Sequence, residues 1–398
     1  MYYSIFKQGE VMKLNKLSAA VLATMALGTT AQAQSSVTLY GILDGGLRYQ
    51  SASVQGQSAS NFGAAYGVQS GNRFGLRGVE DIGGGNRVTF VLESGFDLGN
   101  GTTGQANRLF GRQAYLGVEN DSWGLARIGR QYNFASDYFG AIDPFSQGFG
   151  QANIGAAFGA ANTLRMSNAI KYQSPTMSGF KVGAAYSFAN GMTNTAINNS
   201  TVAAGSSGYN FETNNNVRQL SLGTNYSNGP VYVALSYDKI YAPSNSISDS
   251  NPSSWNLGGA YDLKVAKLSA AYGQTRGGYI LGQGNGATGA GVNLNGNPAN
   301  ANGDVIFDQN MGYNSYLLGA TVPVNTVSRV MLSWTLLTPN TNMKDVYNAQ
   351  NQSTYSLGYS YDFTRRTNAY AYVSYMDNLA TVDTAKSTVL GVGVRHQF

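Results

Sequence analysis

The sequence predicts an all-β fold, a sixteen-stranded antiparallel transmembrane β-barrel. Three observations predict it. Hydrophobicity repeats with a period of two over most of the chain. Beyond residue 33 no apolar run reaches the roughly 20 residues a spanning helix needs. The connections between alternating segments are long and short by turns.

The alternation is clearest in Tyr355-Ser356-Leu357-Gly358-Tyr359-Ser360-Tyr361-Asp362-Phe363, where one face is Tyr/Leu/Tyr/Tyr/Phe and the other Ser/Gly/Ser/Asp. Leu220, Leu222 and Tyr226 repeat it, as do Val231, Val233, Leu235 and Tyr237, and Val330, Leu332, Trp334 and Leu336. A soluble sandwich alternates in the same way, so the connections must discriminate. Strands are predicted at 36–49, 69–80, 86–97, 108–119, 123–131, 166–175, 179–188, 216–227, 230–240, 254–263, 266–276, 312–322, 327–338, 352–362, 366–377 and 387–398. Segments 50–68, 132–165, 189–215, 277–311 and 338–351 are long and rich in Asn, Gly, Ser and Ala, whereas Ser227-Asn228-Gly229 and Phe363-Thr364-Arg365 are tight turns. Long loops at one end and turns at the other are what an outer-membrane barrel requires. An even strand count closes the sheet and removes its edges.

Composition agrees. Charged residues are 11%, Gly numbers 51 and Tyr 27, and mean hydropathy is slightly negative, as half-apolar strands around a wet interior would give. Cys is absent, which removes disulfides and thiol chemistry. Lys13 and Lys16 precede the apolar stretch Leu17–Leu27, and Ala31-Gln32-Ala33 supplies small residues for a peptidase. Residues 1–33 are therefore expected to be an N-terminal extension plus secretory signal, cut between Ala33 and Gln34, with 34–398 as the barrel. Met12 is an alternative start. Residues 1–33 hold Lys7, Lys13, Lys16 and Glu10, so the count falls from 25 basic and 20 acidic to 22 and 19. That balance is too mild to point to nucleic acid.

Parity sorts the charges, because an Arg facing lipid near the midplane costs about 2–4 kcal/mol and one in the lumen stays hydrated. Arg73 and Arg77 lie opposite Phe74 and Leu76, and so point inward. Asp44 and Arg48 oppose Leu43 and Leu47; Glu93 opposes Phe90 and Leu92. Arg112 and Arg130 are expected to be lumenal, and Arg127, of opposite parity to Arg130, falls on the outer face without an account. Tyr226, Tyr237, Trp334, Tyr359, Tyr361 and Phe363 fit an aromatic girdle, and Tyr370 and Tyr372 a thin inward track.

The chain ends in Leu390, Val392, Val394, His396 and Phe398 on one parity, a pattern that looks like the outer-membrane assembly signal. Ser35-Ser36-Val37-Thr38-Leu39-Tyr40-Gly41-Ile42-Leu43-Asp44, Asn72-Arg73-Phe74-Gly75-Leu76-Arg77-Gly78, Phe110-Gly111-Arg112-Gln113-Ala114-Tyr115-Leu116-Gly117, Ile128-Gly129-Arg130-Gln131 and Gly391-Val392-Gly393-Val394-Arg395-His396-Gln397-Phe398 resemble strands of Gram-negative general porins, in particular their beta-proteobacterial branch. The resemblance runs from residue 35 to 398. It implies a sixteen-stranded barrel, a homotrimer in outer-membrane lipid and lipopolysaccharide, with loop three folded into the lumen, and a water-filled channel for small hydrophilic solutes and ions. It also matches Arg73, Arg112 and Arg165 to the basic cluster of the family's constriction, with Arg77 and Arg130 nearby and Glu93 a wall acid. Asp137 and Asp143 are the acids of loop three between Tyr132 and Asn162. Arginines outnumber these acids, so a weak to moderate anion preference is expected.

No cofactor, metal or catalytic group is expected. Gly99-Asn100-Gly101-Thr102-Thr103-Gly104 matches G-x-G-x-x-G but runs into a strand rather than a helix. One His and no Cys leave neither a His/Cys metal site nor a catalytic triad in view. A substrate-selective channel on the same fold is the alternative, and an outer-membrane barrel enzyme or an adhesin are competitors from other classes.

Overall fold

The computed structural model describes residues 36–54, 56–190, 216–244, 250–280 and 305–398. Its strands, in chain order, are β1 (Ser36–Val54), β2 (Gln57–Tyr66), β3 (Arg73–Gly83), β4 (Asn86–Gly95), β5 (Gln113–Asn120), β6 (Gly124–Tyr132), β7 (Arg165–Gln173), β8 (Phe180–Ser187) and β9 (Arg218–Asn228). They continue as β10 (Val231–Tyr241), β11 (Ser253–Asp262), β12 (Lys267–Ile280), β13 (Val305–Asn325), β14 (Ser328–Pro339), β15 (Gln352–Asp362), β16 (Thr367–Asp377) and β17 (Lys386–Gln397). Neighbours pair antiparallel around the ring, and β17 returns to β1 in the register Ile42 opposite Gln397 to Ser53 opposite Lys386. β2 and β3 both lie beside β1, β2 along residues 45–54 and β3 along 36–42, so they form one stave and the barrel has sixteen. Between them, residues 67–72 leave the wall and reach inward: Ser70 N donates to Asp44 Oδ2 at 2.6 Å and Asp44 N to Asn72 Oδ1 at 2.6 Å.

The faces predicted for β15 hold. On β15, Thr354, Ser356, Gly358 and Ser360 are buried inside, while Tyr355, Leu357, Tyr359 and Tyr361 are exposed outside. Exposed Leu and Val on most staves give the outside the apolar band that a bilayer demands. The segment expected to be a long loop, 50–68, is instead mostly strand. Its Ser, Ala and Gln residues have little β propensity of their own, but pairing with β17 and the β1–β2 hairpin satisfies their backbone. β5 starts at Gln113 rather than 108, and β13 reaches back to Val305. Segments 189–215 and 277–311 fall largely outside the described residues.

The closing seam rests on the last residue. Gly41 N donates to the Phe398 carbonyl at 3.0 Å and Phe398 N to Gly41 O at 3.1 Å. The Phe398 ring covers Gly41 so closely that a Cβ there would lie 2.3 Å from its Cζ. Gly41→Val is therefore expected to push the ring off the seam. The folded fraction, read as the gel shift between unheated and heated protein, should fall; an unchanged fraction would contradict this packing.

Candidate pore constriction

The connection from β6 to β7 folds against the inner wall and carries the site. Asn133 Oδ1 caps a helical turn, Phe134–Phe139, by accepting from Ser136 N at 3.0 Å. Phe134, Phe139, Ile142, Ile154 and Phe158 are fully or almost fully buried. They sit in a trough of small inward-facing residues. A Cβ on Gly183 would lie 2.2 Å from Phe134 Cζ, one on Gly258 3.1 Å from Ile142 Cδ1, and one on Gly273 3.0 Å from Phe158 Cε1. The loop tip docks on the inward segment 67–72, where Phe149 N donates to Val68 O at 2.5 Å. Tyr370 and Tyr372 stack edge-on against Phe149, with centroids 5.2 and 5.3 Å away. These two tyrosines do face inward, but the loop covers them, so they form its seat rather than a solute track.

Opposite the loop, three arginines converge on one phenol. Arg112 Nη2 donates to Tyr132 Oη at 3.2 Å and Arg165 Nη2 at 2.7 Å, with the Arg165 guanidinium 4.6 Å from the ring centre. Arg73 approaches from β3, anchored through Nε to the Gly71 carbonyl at 2.8 Å. Glu93 answers the set from β4: it pairs with Arg112 Nε at 2.7 Å and accepts from Tyr40 Oη at 3.0 Å. Among the described residues, the recess between this wall and the loop is lined by Arg48, Arg73, Arg112 and Arg165, and by no Asp or Glu. Arg77 lies closer to the short-turn end, its guanidinium 5.4 Å from the Tyr40 ring centre.

The other acids are differently employed. Asp137 is ion-paired with Lys171, which also donates to the Tyr132 carbonyl at 2.8 Å. Asp143 is buried and accepts from three backbone amides, Phe145 N at 3.0 Å, Gln147 N at 2.7 Å and Ile154 N at 3.1 Å. Asp143 therefore staples the loop and does not face the passage; burial pushes its carboxyl up to about 6. Asp44 points inward as its parity requires, yet it is fully covered, taking Ser70 N and the Tyr370 hydroxyl at 2.7 Å. It holds the inward segment in place.

Two parity assignments reverse. Arg127 lies on the same rung as Gly117 and Lys171 and its guanidinium stands 4.6 Å from the Tyr115 ring centre, so it faces the lumen. Arg130 lies opposite Ala114, on the parity of exposed Ile128, and binds the Gly111 carbonyl at 2.7 Å and the Ser167 hydroxyl at 2.5 Å. Alternation from Arg127 to Arg130 is regular against β5, so with exposed Ile128 on the outer face Arg130 follows it outward and Arg127 points inward; the pairing with β7 is interrupted by a bulge only beyond Gly129. Sequence reasoning missed Tyr132 as the hub, Lys171 as the partner of Asp137, and the inward Arg395, which donates to Asn368 Oδ1 at 2.9 Å. The Lys171 parity, opposite Ile170 and Tyr172, was the available signal.

A family model described as Gram-negative porin matches residues 18–381. An outer membrane porin protein of Bordetella pertussis is 44% identical over 97% of this chain and 100% of its own length. Outer membrane porin protein 32 of Delftia acidovorans is 29% identical over 96% of this chain and 100% of its own. Among solved structures, an anion-selective porin from Comamonas acidovorans superposes with a TM-score of 0.67 at 24% identity, covering 92% of this chain and 100% of that one.

Proposed function

The chain belongs to the Gram-negative porin family, and on that premise we propose that its outer-membrane channel passes small anions in preference to cations. It is a porin, a water-filled channel for passive diffusion, and not a member of an enzyme family. The observation that carries the ion preference is the recess lined, among the described residues, by four arginines and no carboxylate. Glu93 offsets one charge through Arg112, and Asp137 is already matched by Lys171, so Arg73 and Arg165 remain as net positive charge at the narrows. Fixed charge beside a narrow aqueous path raises the local concentration of the opposite ion. We assign Arg73, Arg112 and Arg165 to the constriction, Arg48, Arg77 and Arg127 to its approaches, and Asp44 and Asp143 to holding it. The Comamonas acidovorans porin of the same fold is itself anion-selective.

The mature chain is proposed to begin at Gln34, to work as a homotrimer beside outer-membrane lipid and lipopolysaccharide, and to be recognised by the outer-membrane assembly machinery through Phe398. N-terminal sequencing of the exported protein tests the first of these: a start other than Gln34 contradicts it. The ion preference is tested in a planar bilayer under a KCl gradient. The reversal potential is expected to carry the sign of chloride permeation; the potassium sign would contradict the proposal.

A further inference from the structure

The connection between β16 and β17, residues 378–385, stands at the long-loop end of the barrel, the side that faces out of the cell. Its backbone is strained. Asn378, Ala380, Thr381 and Thr384 take φ of 50, 55, 64 and 59, the left-handed region that Ala and Thr rarely adopt. Such a conformation persists only while its surroundings over-determine it. Two sets of contacts do so here. Gln350 N donates to the Thr381 carbonyl at 2.8 Å, and Asn378 Nδ2 to the Asn351 carbonyl at 2.9 Å. On the inward side, Leu379, Ala380 and Ala385 pack with Ala52 and Val54 of β1 and with Ala156 of the inward loop. Asp383 and Thr384 form an exposed tip.

One side chain bonds this strap and the inward loop at once. Gln352 opens β15, shares the inward parity of Thr354 and Ser356, and is only 4% exposed. Its Oε1 accepts from Ala380 N at 2.8 Å, and its Nε2 donates to the Ala156 carbonyl at 2.6 Å. The two ends of one amide therefore serve the two segments, so displacing the strap pulls on the group that holds the loop. Ala156 N in turn donates to the Asn153 carbonyl at 3.1 Å, and Asn153 lines the arginine recess. Close by, Ile154 N is one of the three amides that Asp143 staples. Direct bonds thus lead from a strained turn on the outer surface to the wall of the narrows.

We propose that strap 378–385 is an external latch on the constriction and that Gln352 is the positioning residue that transmits its state. Loosening the strap from outside the cell frees Ala156 and lets the inward loop fluctuate. A short strained segment with an exposed tip is the element that an outside contact shifts between two arrangements. The proposal rests on the reading of the inward loop as the constriction and is separate from the ion preference of the lumen.

The chain has no Cys, so a single engineered one is labelled uniquely. The test places D383C, carrying biotin on a short linker, in a planar bilayer and adds streptavidin on the side that the long loops face. The occupancy of conductance substates is expected to rise at least about threefold, within the roughly two- to tenfold that one hydrogen bond is worth. V346C, on the exposed side of the helical turn Thr341–Tyr347 at the same rim, is labelled in the same way and should show no rise, which separates the latch from mere bulk at the mouth. In D383C/Q352M the substates should already be frequent, and streptavidin should add nothing. Should that variant misfold, D383C/Q352E keeps the acceptor for Ala380 N, lacks the donor for the Ala156 carbonyl, and is expected to behave alike. The reversal potential of unlabelled wild type is recorded beside these; losing its chloride sign would contradict the ion preference without touching the latch. A response at position 383 that is absent, that V346C matches, or that persists in full without Gln352 overturns the proposal.

Discussion

Asp143→Ala is expected to unseat the inward loop, raise single-channel conductance and make it noisy, while the barrel itself stays folded. The side chain satisfies three buried amides, at Phe145, Gln147 and Ile154, and no other acceptor replaces it in the structure. Each stranded N–H costs about 1–3 kcal/mol, enough together to compete with the loop's packing in its glycine trough. The barrel's own ladders do not pass through Asp143, so the heat-dependent gel shift should persist. The carboxyl also gives the loop a pH dependence. Its folded value is raised to about 6 from an ordinary 3.8, so its proton is held more tightly in the seated loop. The resulting stabilisation is complete below the ordinary value and is lost as pH rises through about 6. Wild-type current is thus expected to be quieter at low pH than at neutral pH, and Asp143→Asn, which cannot titrate, should abolish that trend. Equal noise in wild type at both values would contradict the assignment.

Glu93→Gln is expected to act in two directions at once. The Glu93–Arg112 pair is 2.7 Å long, with side chains only 5% and 7% exposed. Removing one member of such a pair leaves an uncompensated charge and costs about 3–5 kcal/mol, so the temperature at which the gel shift is lost should drop. The same change removes the carboxylate that offsets the arginines around Tyr132, so the channel that does fold should be more anion-selective than wild type. A destabilised variant with unchanged selectivity would show that Glu93 holds the wall without shaping the field.

The fold was legible because a barrel writes itself locally. Period-two alternation identified the two faces of β15, and turns such as Asn228-Gly229 located the short connections. What stayed hidden depends on contacts between distant residues. Nothing in Gln57–Tyr66 suggests a strand until β1 is beside it. Parity sorted Arg73, Arg77, Arg112 and Glu93 inward, but it fixes Arg127 and Arg130 only relative to each other, and it is the exposed Ile128 that sets Arg130 outward and Arg127 inward. Parity also says which way Asp44 points and not what covers it. The inward segment 67–72 and the staple at Asp143 turn two apparent pore acids into structural acceptors. Gly183, Gly258 and Gly273 read as weak strand residues in sequence, and their purpose is visible only once the loop's aromatic residues occupy the space they leave.

If uncompensated arginines at the narrows set the ion preference, Arg73→Gln/Arg165→Gln must change the reversal potential relative to wild type under the same KCl gradient. This variant keeps the Arg112–Glu93 pair and with it the wall. Wild type is expected to favour chloride, and the variant to show a reversal potential close to zero. A variant as chloride-selective as wild type would contradict the account.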